Sequence, residues 1–313
     1  KPLKNKILLN INFYQNNFKD IKIALKKQII KTNNPLIDYE EMINLSSNSW
    51  NDGDEPYSYI SGYTNEIDYS PWIINATNSV DIGFKPIVSA MGVSNGGMHY
   101  NIGGRIQEAI PKEISDDTIK VYVEPSLYKG YDTITKNVII SSSGDIGVEY
   151  FIMNCISKVL KLNTNLNVKK YLRLANGKII LGDYNIMVDS GAIITSYNKD
   201  KYIVTNGKGY LKINNVSSSK VVFPIGTIEN YLPIEFINYG KIDNFTARVL
   251  NSVQPALPSG VKTNFVNVTW NIFEDTVGNA KAYLKLYWND VLQQGTLSLL
   301  NTTLNYYDSS WAN

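Results

Sequence analysis

Between Thr118 and Ile213 the chain is a succession of short apolar runs cut by small polar residues. The runs are Ile119–Val123, Asn137–Ile140, Val148–Met153, Lys158–Leu162, Tyr171–Leu174, Lys178–Leu181, Asn185–Val188, Ala192–Thr195, Lys201–Val204 and Gly209–Ile213. They are rich in β-branched and aromatic side chains, with Asn, Gly, Ser and Asp between them, so each predicts a short strand. The gaps are too short for crossover helices, which excludes a βαβ sheet. Two architectures remain: a meander of small hairpins, or a parallel β-helix with about 20 residues per coil. Matching apolar runs at Val138–Ile140, Val159–Leu162 and Ile179–Leu181 have that period. Within the stretch, Asn176-Gly177 and Asn206-Gly207 are the only dipeptides of the kind a hairpin meander would use at every turn. The pattern therefore favours the coil. In a coil, Cys155 is expected to be a small buried residue packed with Phe151, Ile152 and Ile156, and Val159→Asp tests whether that side chain points inward.

The flanks have other textures. Ile7–Phe13, Ile21–Leu25 and Met42–Leu45 read as strands, with period two at Ile21, Ile23 and Leu25. Residues 73–104 are rich in Gly, Asn and Ser without periodicity and predict a linker or a covering loop. Gly104–Ile110 predicts a short amphipathic helix whose Ile106, Ala109 and Ile110 could close the open end of a first coil. Beyond Ile213 the strands lengthen and alternate, at Val221–Gly226, Tyr231–Phe236, Asn244–Val249, Val266–Ile272 and Ala282–Trp288. That texture suits an antiparallel sandwich.

Composition narrows the function classes. Of 313 residues, 43% are hydrophobic and 19% charged, which describes a folded chain. The net charge is +2, and Lys26-Lys27 and Lys169-Lys170 are the basic pairs that stand out, on what read as solvated strand faces. Nucleic acid is thus not an expected partner. No apolar stretch has the length of a membrane span, so no membrane insertion is expected. A chain beginning at Lys1 with neither an initiator Met nor a signal pattern reads as a processed product or a fragment. The single Cys155 excludes an internal disulfide.

Several segments resemble a known family. Ser49-Trp50, Glu55-Pro56 and Glu66–Trp72 resemble the closing signature of right-handed parallel β-helix domains in Bacteroidota surface proteins, although one Trp stands where two are usual. Gly104–Ile110 is similar to the helix that opens pectate-lyase-like β-helices, and Asp117–Ile140 to the strands that follow it. Phe223–Gly226, Asp243–Phe245, Thr269–Ile272 and Leu286–Asn289 resemble an immunoglobulin-like module of secreted Bacteroidota proteins, often found ahead of a type IX secretion sorting domain. The resemblance implies an all-β chain of right-handed parallel β-helix segments followed by an immunoglobulin-like antiparallel β-sandwich. Residues 1–72 would be the last coils of one β-helix, 73–104 a linker or covering loop, 105–215 a second β-helix segment, and 216–313 an incomplete sandwich. The implied setting is extracellular, at the cell surface.

Candidate chemistry is sparse. His99 lies in a Gly-rich passage with no Cys partner for a structural zinc site and no nucleophile motif beside it. Asp52, Asp54 and Glu55 gather oxygen donors that could hold calcium, without EF-hand spacing; a solvated turn is the plainer reading. No other cofactor is expected. A β-helix lyase would need clustered carboxylates beside a basic residue, whereas Asp116, Asp117, Asp145, Asp183 and Asp189 fall at turns, and Arg105 and Arg173 have no carboxylate pair near them in sequence. Tyr57, Tyr59, Tyr63, Tyr69 and Trp72 are candidates for glycan stacking, or for covering the end of a β-helix core. The expectation is a non-catalytic structural or adhesive component of a bacterial surface assembly, with a glycan-binding or lyase-like protein as the alternative. Its partners would be other subunits, added by β-strand pairing at the C-terminal sandwich, where the last strands look unfinished.

Overall fold

The computed structural model describes residues 118–297 except 124, 126, 258–259 and 261–263, and then 303–308 and 310–312; ahead of residue 118 it describes 106–110 and the strands named below. Near the start, β1 (Asn17–Phe18), β2 (Ile23–Ala24) and β3 (Ile43–Asn44) run parallel to β4 (Ser49–Trp50), β5 (Ile60–Ser61) and β6 (Ile67–Asp68), in that order. Three successive strands pairing with the next three is the pattern of stacked coils; consecutive hairpins would pair antiparallel.

β7 (Val88–Ser94) and β8 (Gly97–Gly103) form an antiparallel hairpin within the passage expected to be loop, with His99 opposite Gly92. The intervening residues are Asn95-Gly96, a dipeptide suited to a two-residue hairpin turn, and the Gly-rich texture around it hides that signal. β7 lies antiparallel on β9 (Ile119–Val123), so the hairpin covers one edge of the sheet that follows. Helix α1 (Ile106–Ala109) closes the interior beneath, with Ile106 and Ile110 buried as its apolar face predicts. The seal is also polar: the Gln107 N–H donates to Asp132 Oδ1 at 3.4 Å, and the Thr133 N–H donates to Gln107 Oε1 at 3.0 Å.

The coils are built from β9, β10 (Leu127–Ile134), β11 (Val138–Ser142), β12 (Ile146–Asn163), β13 (Leu166–Ile180), β14 (Ile186–Val188), β15 (Ile193–Thr195), β16 (Ile203–Val204) and β17 (Leu211–Val216), all paired in parallel. After β18 (Val221–Phe223), β19 (Ile225–Gly226) adds the last parallel rung. One buried column runs Ile119, Val138, Leu160, Ile179, Ile203, Ile225, and it defines a β-solenoid of about five turns. A second face stacks Ile146, Leu166, Ile186 and Leu211, and a third stacks Phe151, Leu172 and Ile194. The meander alternative is thereby excluded for this region. β12 and β13 are long because each passes two corners and contributes to all three faces.

Polar ladders hold the corners in register. Asn165 Nδ2 donates to Asp145 Oδ1 at 2.8 Å, and the N–H of Asn185 donates to Asn165 Oδ1 at 2.9 Å. The N–H of Tyr210 then donates to Asn185 Oδ1 at 3.1 Å. Inward–outward alternation also corrects two expectations. Phe151, Met153 and Cys155 point inward and are buried, but Ile156 points out with 75% of its surface exposed and Ile152 is half-buried. Likewise Leu160, not Val159, fills the interior.

The last coil changes hand of pairing. β20 (Ile234–Asn238) pairs antiparallel with β18, and β21 (Asp243–Leu250) lies antiparallel on β17, where another coil would otherwise stack. After β22 (Phe265–Val266), β23 (Thr269–Glu274) pairs with β21 and β24 (Ala282–Leu286) with β20. Phe236 bridges the two sheets, its ring 6.1 Å from Phe223 and 4.5 Å from Phe245. β25 (Gln293–Gln294) pairs with β22, and β26 (Tyr306–Asp308) with β27 (Ser310–Ala312). The expected separate sandwich is thus represented by small antiparallel sheets, and the one carrying β21 and β23 continues the solenoid sheet.

Candidate functional site

Several corners of the solenoid turn through left-handed backbone, among them Ser157, Gly177 and Ser196 with φ of 56°, 81° and 63°. At Gly177 no side chain fits: a Cβ would meet the carbonyl oxygens of Cys155 and Lys158 and the Met153 Cε. Beside it Asn176 Nδ2 donates to Asn154 Oδ1 at 2.7 Å, tying one coil to the next. With Asn198 and Asp200 of the next coil, the Ser157 and Gly177 corners bound an open groove of about 620 Å³.

Lys158, Lys178 and Lys201 line that groove from three successive coils, with Ile156 and Ile228 as exposed apolar side chains at its border. Lys178 is the most constrained of the three. Its Nζ donates to the Ile228 carbonyl at 2.7 Å and to Tyr202 Oη at 2.9 Å, and it sits 4.5 Å from the centroid of the Tyr202 ring. Burial holds its pKa below the usual lysine value, with the Asp200 carboxylate pulling the other way. Tyr202 is fully buried and donates to the Thr227 carbonyl at 2.8 Å; burial, helped by Asp200 and Glu229, pushes its hydroxyl up to about 12. The tilted Tyr231 ring packs 5.2 Å away. Lys178 and Tyr202 thus fasten the turn after Gly226 to the coil below, and the ammonium is spent on structure.

Asp200, the one carboxylate among the described residues that line the groove, is held by Lys199 at 3.3 Å. The arrangement can bind an extended anion with apolar faces, Lys158 and Lys201 supplying the cations on either side of the coil whose Lys178 holds its turn. Among the described residues that line it there is no opposed pair of carboxylates. Among the described residues, no three His, Cys, Asp or Glu side chains gather as a metal site would require.

The residues singled out from sequence fall as follows. Asp52, Asp54, Glu55, Tyr57, Tyr59, Tyr63, Tyr69, Trp72, Arg105, Asp116 and Asp117 lie outside the described residues. Asp145 joins the asparagine ladder, Asp183 Oδ1 accepts from the Lys208 N–H at 3.0 Å, and Asp189 pairs with Lys169 at 3.0 Å. Lys170 pairs with Glu149 at 2.9 Å, so both lysines of that pair link neighbouring coils on the outer surface. Arg173 stands on the third face, opposite Ile152 and Thr195, away from the groove. Sequence reasoning missed the groove lysines, because their spacings of 20 and 23 residues carry meaning only once the coil length at that corner is known. No family model matches this chain, and comparison with curated proteins and with solved structures returns no match.

Proposed function

We propose that this chain is a non-catalytic, extracellular structural and adhesive component of a bacterial cell-surface assembly. In this reading the solenoid is a stiff spacer, and the C-terminal sheets, an immunoglobulin-like module in kind, are where other subunits attach. The observation that supports it is the parallel ladder from Ile119 to Ile225, in a stack where the β7–β8 hairpin lies on β9 at one end and β21 lies on β17 at the other. A stack closed in this way resists both bending and edge-to-edge aggregation. Beads coated with the chain should attach to cell surfaces, and Leu160→Asp, which breaks the buried column, should abolish attachment. Release of unsaturated sugar ends from acidic polysaccharide, with calcium present, would overturn the non-catalytic reading.

The lysine-lined groove supports a second reading, a glycan-binding module for an acidic polysaccharide. An extended chain of sugar acids would lie along the solenoid axis, its carboxylates on Lys158 and Lys201 and its ring faces on Ile156 and Ile228. Calorimetry with an acidic polysaccharide should then show binding that weakens with salt and is lost in a Lys158→Ala/Lys201→Ala double variant. Equal affinity for a neutral polysaccharide would remove this reading. Lys178 is left in place because its substitution would loosen the turn it anchors.

A further inference from the structure

β24 is an edge strand whose free side can be read residue by residue. The Tyr239 N–H donates to the Lys281 carbonyl at 2.9 Å, and the Tyr287 N–H to the Pro233 carbonyl at 3.3 Å. In an antiparallel ladder the bonded pairs recur at every second residue. Lys281, Tyr283, Lys285 and Tyr287 therefore direct their backbone groups toward β20, while Ala282, Leu284 and Leu286 direct theirs away. Among the described residues no strand takes up that outer edge. Both side-chain faces are strongly patterned. Leu284 and Leu286 pack partly buried on the core, and Tyr283, 54% exposed, shares the opposite face with Lys281, Lys285 and Tyr287.

We infer that this edge pairs with the same edge of a second copy of the chain, antiparallel about a two-fold axis at Leu284. In that register Leu284 faces Leu284 and Ala282 faces Leu286, and all three are residues whose N–H and C=O groups point outward. On the other face Lys281 meets Tyr287 and Tyr283 meets Lys285, twice each by symmetry. Those positions are the non-hydrogen-bonded pairs of the new ladder, where side chains approach most closely. Every outer-face pair is thus a lysine against a tyrosine, the combination Lys285 already makes with its own Tyr287 at 4.8 Å from the ring centroid. A slip of two residues in either direction sets lysine against lysine and tyrosine against tyrosine, so charge selects the register. The pairing extends the three-stranded sheet β18–β20–β24 to six strands across the dimer. It deepens the assembly reading by naming the attaching strand and its partner.

Sedimentation of the chain over a range of concentrations tests it. The wild type should dimerise, and Ala282→Pro should raise the dimer Kd roughly thirtyfold, because symmetry removes two cross-strand hydrogen bonds. The Ala282 N–H points away from β20, so the intramolecular sheet loses no bond. Leu284→Cys should form a covalent dimer on oxidation, since Cα atoms about 5.5 Å apart in a hydrogen-bonded pair fall within disulfide range. Tyr283→Cys should not, because a lysine stands opposite. Cys155 is buried and contributes no background. A wild type that stays monomeric, a dimer indifferent to Ala282→Pro, or equal crosslinking at 283 and 284 would each overturn the inference. A monomer that still attaches to cells would leave the assembly reading standing without this interface.

Discussion

In the parallel coils buried side chains recur in columns, so that Leu160 has Val138 on one neighbouring rung and Ile179 on the other. In the antiparallel end the core is made once. Phe223, Phe236 and Phe245 meet between two sheets, and single polar groups fix the loops around them. Asn238 Oδ1 accepts from the Gly240 and Lys281 N–H groups, and the Glu274 carboxylate accepts from those of Gly278 and Ala280. The contrast is one of redundancy. A solenoid repeats one interaction, so damage is felt by nearest-neighbour coils first. A two-sheet core has no second copy of its central ring.

The sharpest way to break the comparison is to place a charge in the repeated column. Leu160→Asp should cost roughly 5 kcal/mol, because a carboxylate replaces a fully buried leucine with no partner in reach. Val159→Asp, one position along and half-exposed, should cost less than about 1 kcal/mol. Urea unfolding of the two variants checks both, and equal losses would refute the inward–outward assignment. Next, Phe236→Ala should cost roughly 3–4 kcal/mol. Amide exchange should quicken in β18, β20, β21 and β24 while β9 and β11 keep their protection; loss of protection throughout would show that the two regions unfold as one.

Two glycines separate contact from backbone strain. Gly177→Ala, with φ of 81° and two carbonyl oxygens in the way, should cost roughly 2–3 kcal/mol. Gly191→Ala has φ of 77° and nothing within 4 Å, and should cost about 1 kcal/mol by thermal unfolding. Asn165→Ala should cost a similar 1–2 kcal/mol, since it cuts the ladder both to Asp145 and to Asn185.

An effect confined to alkaline pH comes from Tyr202. Its folded-state pKa of about 12 lies above the ordinary value of 10.0, so its contribution is complete below pH 10. As pH rises from 10 to 12 the unfolded chain loses the proton first and stability falls. Tyr202→Phe should flatten that slope in alkaline urea titrations. Tyr231, also raised by burial, should account for part of what remains.

How much was legible in the sequence depended on whether the signal was local. The run-and-turn texture from Ile119 to Ile213, its period of about 20 residues and the capping face of α1 come from side chains that must be buried wherever the chain goes. Those features determined the solenoid and its first cap. Asn95-Gly96 was equally local but was masked by the glycines around it.

What the tertiary structure decided is everything that depends on coil length at a particular corner. The successive steps from Ile119 to Val138, Leu160, Ile179, Ile203 and Ile225 are unequal, because the corners do not all bulge by the same number of residues. A one-residue change in such a bulge exchanges inside for outside, and on this point Val159 and Ile156 could not be placed from pattern alone. The same uncertainty hid the groove lysines and the outer edge of β24. Hydrophobic periodicity specifies what must be covered; stacking of the coils settles which polar side chains meet and which backbone edge is left open.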